Sequence, residues 1–376
     1  MIRTLGKSLL TAAITCTLTA SPLALASADS NSGKKERTLN VYNWSDYIAE
    51  DTIANFEKET GIQVRYDVFD SNEVLEAKLL SGKTGYDIVV PTSDFMARQI
   101  QAGVFQKLDR NKLPGWKHLD QGLMSQLETY DKGNEHSFPY LWGTTGIGYN
   151  PELVEKYLGK NAPTDSWDLV FKEENISKLS QCGVAFLNAP TEILPATLKY
   201  LGLNPNSTNK ADYGKAEELL QKIRPSITYF HSSKFITDLA NGDICVAVGW
   251  SGDILQASDR ADEAENGVVV EYVIPKEGAA MWFDMLAIPN DAENVDEAYA
   301  FLNYLLKPEV IAEVSNYVAY ASGNKTSVAM VDEEVRENPG IYPTREAEKN
   351  LYVFEVLPPK IDRLVNRTFT RVKTGQ

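Results

Sequence analysis

The chain has only three cysteines and three histidines in 376 residues, too few and too dispersed for a zinc or iron centre. It lacks a Gly-rich phosphate loop ending in Lys-Ser/Thr, and it lacks a Gly-x-Ser-x-Gly elbow. GTTGIGYN, residues 143–150, has glycines at the wrong spacing for a phosphate loop and reads as an extended strand. His118, His136 and His231 lie in polar or loop contexts with no nucleophile nearby, so they read as surface residues. No catalytic residue, metal or cofactor is expected. Positive charge is also scarce: 37 basic residues stand against 52 acidic ones, a net −15. That field excludes nucleic acid and anionic lipid as partners and suits a cationic ligand.

The acid-free N-terminus stands apart. Arg3 and Lys7 precede an apolar run, Leu9 to Leu25, that ends in Ala24-Leu25-Ala26. This order is that of a secretory signal, residues 1–26, cut after Ala26 or two residues later. Thr, Ser and Pro interrupt the run, which argues against an anchor, and Thr15 is a poor residue before a lipid-modified Cys16. No later segment reaches 18 unbroken apolar residues, so direct membrane insertion is not expected. Removing the signal discards two cations and no acid, leaving 35 basic against 52 acidic residues and a net charge of −17. It also leaves two cysteines, Cys182 and Cys245, which read as one disulfide in an oxidising compartment, with free buried thiols as the alternative.

Beyond a polar linker, strands and helices alternate. Strands are expected at Leu39–Asn43, Ile62–Phe69 and Tyr86–Pro91, and helices at Glu50–Thr60, Glu73–Leu80 and Asp94–Gln101. Short links between them imply a parallel sheet covered on both faces. A second region, from about Asn150 to Gly267, holds the strands CGVAFLN and ICVAVGW and helices around Ile193–Leu201 and Ala211–Lys222. Two further strands follow about the Pro-Lys-Glu-Gly turn. A helix then carries Ala298, Phe301, Leu302 and Leu305 on one face, with Pro308 closing it.

An aromatic beside an acid recurs where apolar strands end. Trp44 stands near Asp46, Trp250 near Asp253, and Trp282 near Asp284. VAFLNAPTE ends in Glu192, and VVPTSDF ends in Thr92, Asp94 and Phe95. Ligands of open α/β sheets bind at such strand ends. A carboxylate about 4 Å from an ammonium gains roughly 4 kcal/mol at an effective dielectric near 20, before desolvation. Each aromatic face adds about 0.5–2 kcal/mol and covers methylenes. A polyamine, with cationic ends and an apolar stem, needs both kinds of residue.

These segments resemble the periplasmic polyamine-binding proteins of ABC-type uptake systems, which bind putrescine or spermidine. YNWSDYI, FDSNEVLEAKL, DIVVPTSDF, GTTGIGYN, KYLGLNPNST, FHSSKFITDLANGDICVAVGWSGD and ENPGIYP carry the resemblance, which runs from Leu39 to the C-terminus. It implies an α/β, two-lobed periplasmic binding protein fold of type II, with a hinged ligand cleft between the lobes. Residues 38–139 and 277–314 would form the first lobe, and residues 145–271 and 315–376 the second. Crossings would fall near Tyr140–Thr145, Tyr272–Lys276 and Ser315–Tyr320. Trp44, Tyr47, Trp250 and Trp282 match the family's aromatic box, with Tyr320 nearby. Ser45, Asp46, Thr92, Glu192, Asp253 and Asp284 match its polar lining, and Cys182 and Cys245 match its bridge. The resemblance also implies a monomer in the periplasm that delivers its ligand to an inner-membrane ABC permease.

Putrescine-preferring members tend to carry Phe where Trp282 stands and a small hydroxyl residue where Asp94 stands. An added acid could meet a third ammonium, so spermidine is the expected preference, with putrescine second; the alternative is that Asp94 only caps the helix that follows. A secreted carbohydrate-active hydrolase is the alternative from another class, since acids and tryptophans also suit sugars. A binding protein for another small solute is the third possibility.

Overall fold

The computed structural model describes residues 37–376, so the expected signal, residues 1–26, lies outside the described residues. The chain opens with β1 (Thr38–Trp44), β2 (Gln63–Phe69) and β3 (Ile88–Val89), with β1 parallel to both of the others. Helices Glu50–Thr60 and Asn72–Ser81 make the crossovers. The first stops at Gly61, whose φ of 69° no side chain opposes. The strand expected over Tyr86–Pro91 contracts to two residues, because the chain turns at once into helix Ser93–Gln101.

β4 (Ser137–Tyr149) is the longest strand. After it come β5 (Val184–Phe186), β6 (Tyr229–Phe230), β7 (Val246–Trp250), β8 (Glu271–Val273) and β9 (Ala280–Ala287). The last are β10 (Ala321–Ser322) and β11 (Tyr352–Val353). Hydrogen bonding runs in the order β2-β1-β3-β9-β4-β7-β5-β6. β9 is antiparallel to β3 and to β4, and β4 is antiparallel to β7. The sheet is therefore mixed rather than purely parallel. β8 and β9 both run antiparallel to β4 and follow one another along it, so the short link between them keeps the direction of the chain.

β4 joins two hydrophobic cores. Its first part pairs with β9 and packs with Leu39, Val41, Phe56, Phe283 and Phe301. Its end pairs with β7 and β8, and Ile147 there packs with Trp167, Phe186, Leu194 and Val248. The return to the second core comes later than Ser315–Tyr320. Val314, Val318, Tyr320 and Phe354 still belong to the first core, and β11 adds to β9. The chain reaches the second core at Leu357, which packs against it, and then through Ile361 of helix Pro359–Thr374, which buries Leu364, Val365 and Phe369 there. Between these points, Ala319, Ala321 and Ile341 form a small cluster against Trp142 and Leu255. Pro308 does more than close helix Val295–Leu305: it opens helix Pro308–Val318, where its missing N–H costs nothing.

Cys182 and Cys245 are bonded, with Cα atoms 5.5 Å apart, just ahead of the neighbouring strands β5 and β7. Among the described residues no helix is long and apolar enough to cross a membrane.

Candidate ligand-binding site

Alternation along β9 puts Trp282 and Asp284 on the face opposite Phe283, which is in the first core. Trp44 ends β1, Ser45 and Tyr47 follow it, and Thr92 precedes helix Ser93–Gln101. From the other core come Trp250, at the end of β7, and two acids in first helical turns: Glu192 in Pro190–Tyr200 and Asp253 in Ser251–Glu263. With Tyr320 these make ten side chains of the expected set, and together with Asn72 they meet around one cleft of about 400 Å³. Two glycines make room for Tyr320. A Cβ on Gly252 would come 2.4 Å from the Tyr320 ring, and one on Gly143 would come 2.9 Å from it.

The cleft has three carboxylates and no Lys, Arg or His in its lining. Asp284 accepts from Tyr47 Oη at 2.8 Å and from Thr92 Oγ1 at 2.7 Å. Asn72 Nδ2 in turn donates to Thr92 Oγ1 at 2.8 Å. Asp253 accepts from Tyr320 Oη at 2.7 Å. Glu192 accepts from Thr145 Oγ1 at 2.7 Å and from Trp250 Nε1 at 3.3 Å. Trp44 and Trp250 meet edge to face at 5.5 Å, and Trp282 and Tyr320 do likewise at 5.5 Å. Each acid accepts side-chain hydrogen bonds from hydroxyl or indole donors, none of which carries a positive charge. Burial therefore pushes Glu192 up to about 8, Asp253 up to about 8 and Asp284 up to about 7, against the downward pull of those donors. Such a cleft is built for one or more cations between aromatic walls.

Two expected residues are absent from the lining. Asp46, at φ 56°, turns outward, and its Oδ1 accepts from Arg260 Nη2 at 2.7 Å across the mouth, joining the β1 turn to helix Ser251–Glu263. Asp94 is buried, but it lines a separate cavity with Arg98 and Asp362. Thr92 precedes the helix in extended backbone, whereas Asp94 stands within the first turn, so the two side chains take different directions. Its carboxyl is pushed up to about 6 by burial, which Arg98 opposes.

Asn72 escaped the sequence reading. It lies three residues past the end of β2, at the start of helix Asn72–Ser81, so the strand-end rule could have found it; its amide gave no aromatic or charge signal. The histidines stay out of the cleft. His136 Nδ1 lies 2.9 Å from Asp131, and His231 Nδ1 accepts from the backbone of Ser233 and Lys234.

A sequence profile of the bacterial extracellular solute-binding proteins matches residues 51–344. The chain belongs to that family. Within it, the chain stands among the periplasmic polyamine-binding proteins of ABC-type uptake systems. It is 57% identical over 376 residues to the putrescine-binding periplasmic protein of Pseudomonas aeruginosa (strain UCBPP-PA14), covering all of both chains. It is 58% identical over 343 residues to the putrescine-binding periplasmic protein of Escherichia coli, covering 91% of this chain and 93% of that one. A solved spermidine/putrescine substrate-binding protein from Streptococcus pneumoniae superposes with a TM-score of 0.71 at 31% identity, covering 90% of this chain and 99% of that one. The fold is accordingly the two-lobed, type II periplasmic binding protein. The family consists of solute-binding proteins rather than enzymes, so the hydrolase alternative falls.

Proposed function

We propose that this solute-binding protein captures putrescine in the periplasm, in the cleft between its lobes, and delivers it to an inner-membrane ABC permease. The observation that carries this is the set of three buried carboxylates without a cation, divided between the two lobes and walled by aromatics. Asp284 is presented by the first lobe, and Glu192 and Asp253 by the second. A diammonium held between them contacts both lobes, and only the closed form offers both halves, so binding favours closure. Trp44, Trp250 and Trp282 cover the methylenes, and Ser45, Tyr47, Thr92 and Tyr320 orient the acids.

Putrescine replaces the spermidine expected from the sequence for two reasons. Asp94, the acid assigned to a third ammonium, lies outside the lining. The relatives at 57% and 58% identity carry putrescine in their names, whereas the Escherichia coli spermidine/putrescine-binding relative is 32% identical. A thermal-shift and calorimetric comparison of putrescine, spermidine, agmatine and sugars tests this reading. Putrescine is expected to bind most tightly; spermidine bound tenfold tighter would overturn the choice.

The raised carboxyls make a pH prediction with a definite sign. Unfolded, Glu192, Asp253 and Asp284 titrate near 4; folded, they hold their protons to about 7 or 8. Stability from these groups is fully present below pH 4 and is lost as pH rises through 7 to 8. A bound dication offsets that loss in the same window. The melting-temperature rise caused by putrescine is therefore expected to grow from pH 5 to pH 8. A rise that is constant across that range would count against the buried, uncompensated acids.

The Asp46–Arg260 pair across the mouth is half-exposed, so its contribution is small. Asp46→Ala or Arg260→Ala is expected to weaken putrescine less than about fivefold. Stopped-flow measurement should place the change in faster release, because the pair ties the β1 turn to helix Ser251–Glu263 across the mouth and must break before the cleft opens; a slower on-rate alone would contradict this.

A further inference from the structure

Thr145 is not part of the cleft lining, yet it is the residue at which β4 changes partners: it pairs with Ala280 of β9 on one side and with Trp250 of β7 on the other. Its hydroxyl is buried and has contacts in both lobes. Trp282 Nε1, from the first lobe, lies 3.1 Å from Thr145 Oγ1, which itself lies 2.7 Å from Glu192 Oε2 in the second. We propose that Thr145 is a positioning residue for the ligand site, its hydroxyl committed by the Trp282 indole to donate to Glu192. The aromatic at position 282 thereby tunes an acid in the opposite lobe. This inference rests on the polyamine reading of the cleft.

The direction of each bond follows from the groups. An indole nitrogen only donates, so the Thr145 oxygen must accept from Trp282. A hydroxyl has one hydrogen, and in this geometry it points at Glu192. The other oxygen of Glu192 faces the Trp250 indole, also a pure donor. Both carboxylate oxygens thus meet donors, an arrangement that suits the ionised acid a cation needs. A protonated Glu192 keeps both contacts less well, because the oxygen that carries the proton faces a donor, the Thr145 hydroxyl or the Trp250 indole. The other titratable groups facing Glu192 are Asp94 and Asp284, whose charge opposes its ionisation, and the phenols of Tyr272 and Tyr352. None of these is a cation, so the neutral donors are what favour the carboxylate. Trp282 then has two roles, as a cover for methylenes and as the group that orients the Thr145 hydroxyl. Phe at that position would keep the first role and lose the second.

The test is putrescine titration of wild type, Thr145→Val, Thr145→Ser, Trp282→Phe and the Val/Phe double variant, each from pH 5.5 to 8.5. Thr145→Val should weaken putrescine about tenfold or more, as expected for losing a hydrogen bond to a charged group. It should also raise the pH at which affinity falls on acidification, because ionised Glu192 has lost a donor. Thr145→Ser should restore both. Trp282→Phe should raise that pH as well, and should add no further shift in the Thr145→Val background. A Thr145→Val protein with the wild-type pH profile overturns the inference, as does Thr145→Ser behaving like Thr145→Val or additive shifts in the double variant. If Thr145→Val does not fold, the pH profile of Trp282→Phe decides alone, and an unshifted profile there sinks the inference. Wild type that binds no polyamine would instead sink the functional reading itself.

Discussion

Asp284→Asn is expected to weaken putrescine binding a hundredfold or more, about 3 kcal/mol, with little change in the melting temperature of the ligand-free protein. The carboxylate is buried and both its oxygens already accept hydrogen bonds, from Tyr47 and Thr92, so it is held in place before the ligand arrives. Removing one partner of a buried charge pair costs about 2–5 kcal/mol, much of it from the ammonium left unpaired. The ligand-free fold has the opposite preference. There the acid is pushed up to about 7 by burial, so a neutral amide of the same shape relieves a penalty rather than creating one. Calorimetry and thermal denaturation on the same sample separate the two effects. A variant that lost stability and affinity together would mean that Asp284 is a structural residue.

The second large effect concerns the fold of the second lobe. Cys182 and Cys245 close a loop with a sequence separation of 63. In the chain-entropy treatment, opening a loop of that length lowers stability by about 4 kcal/mol. The double variant Cys182→Ala/Cys245→Ala is expected to show a loss of that order in denaturant unfolding, measured with putrescine absent. Its putrescine affinity in the native range should change little, because the bridge sits just ahead of β5 and β7 whereas the ligand residues follow them. A wild-type unfolding midpoint in the double variant would rule out the bridge as a stabilising element.

Most of the site was legible because two local rules coincide. Strands of the parallel type end where helices begin, so the acid in the first helical turn lands at the cleft; Glu192 and Asp253 both obey this. On β9, simple alternation suffices to put Trp282 beside Asp284. Asp94 met the same rule and failed it: it is the second residue of its helix, whereas Glu192 and Asp253 are the third of theirs, and it lines the cavity with Arg98 instead. The reading of Asp46 as serving the cleft or its closure could not be narrowed, because its outward turn depends on a positive φ and on Arg260, 214 residues away. The point at which the chain rejoins the second hydrophobic core was not legible for a similar reason. Helix Pro308–Val318 has an apolar face that would suit either core, and only the pairing of β10 with β4 and of β11 with β9 keeps that part of the chain on the first side. Thr145 gave no signal in the sequence. A threonine in a glycine-rich strand is ordinary until a tryptophan and a glutamate from different lobes converge on its hydroxyl.

Titration of polyamine-free protein, unfolded and refolded to strip bound ligand, with putrescine at pH 7.5 is the most direct measurement of the cleft's role. One putrescine per chain, at micromolar affinity or tighter and weakening as the pH is lowered to 5.5, is the expected result. No saturable heat with putrescine or spermidine, or an affinity indifferent to pH, would contradict a site built from Glu192, Asp253 and Asp284.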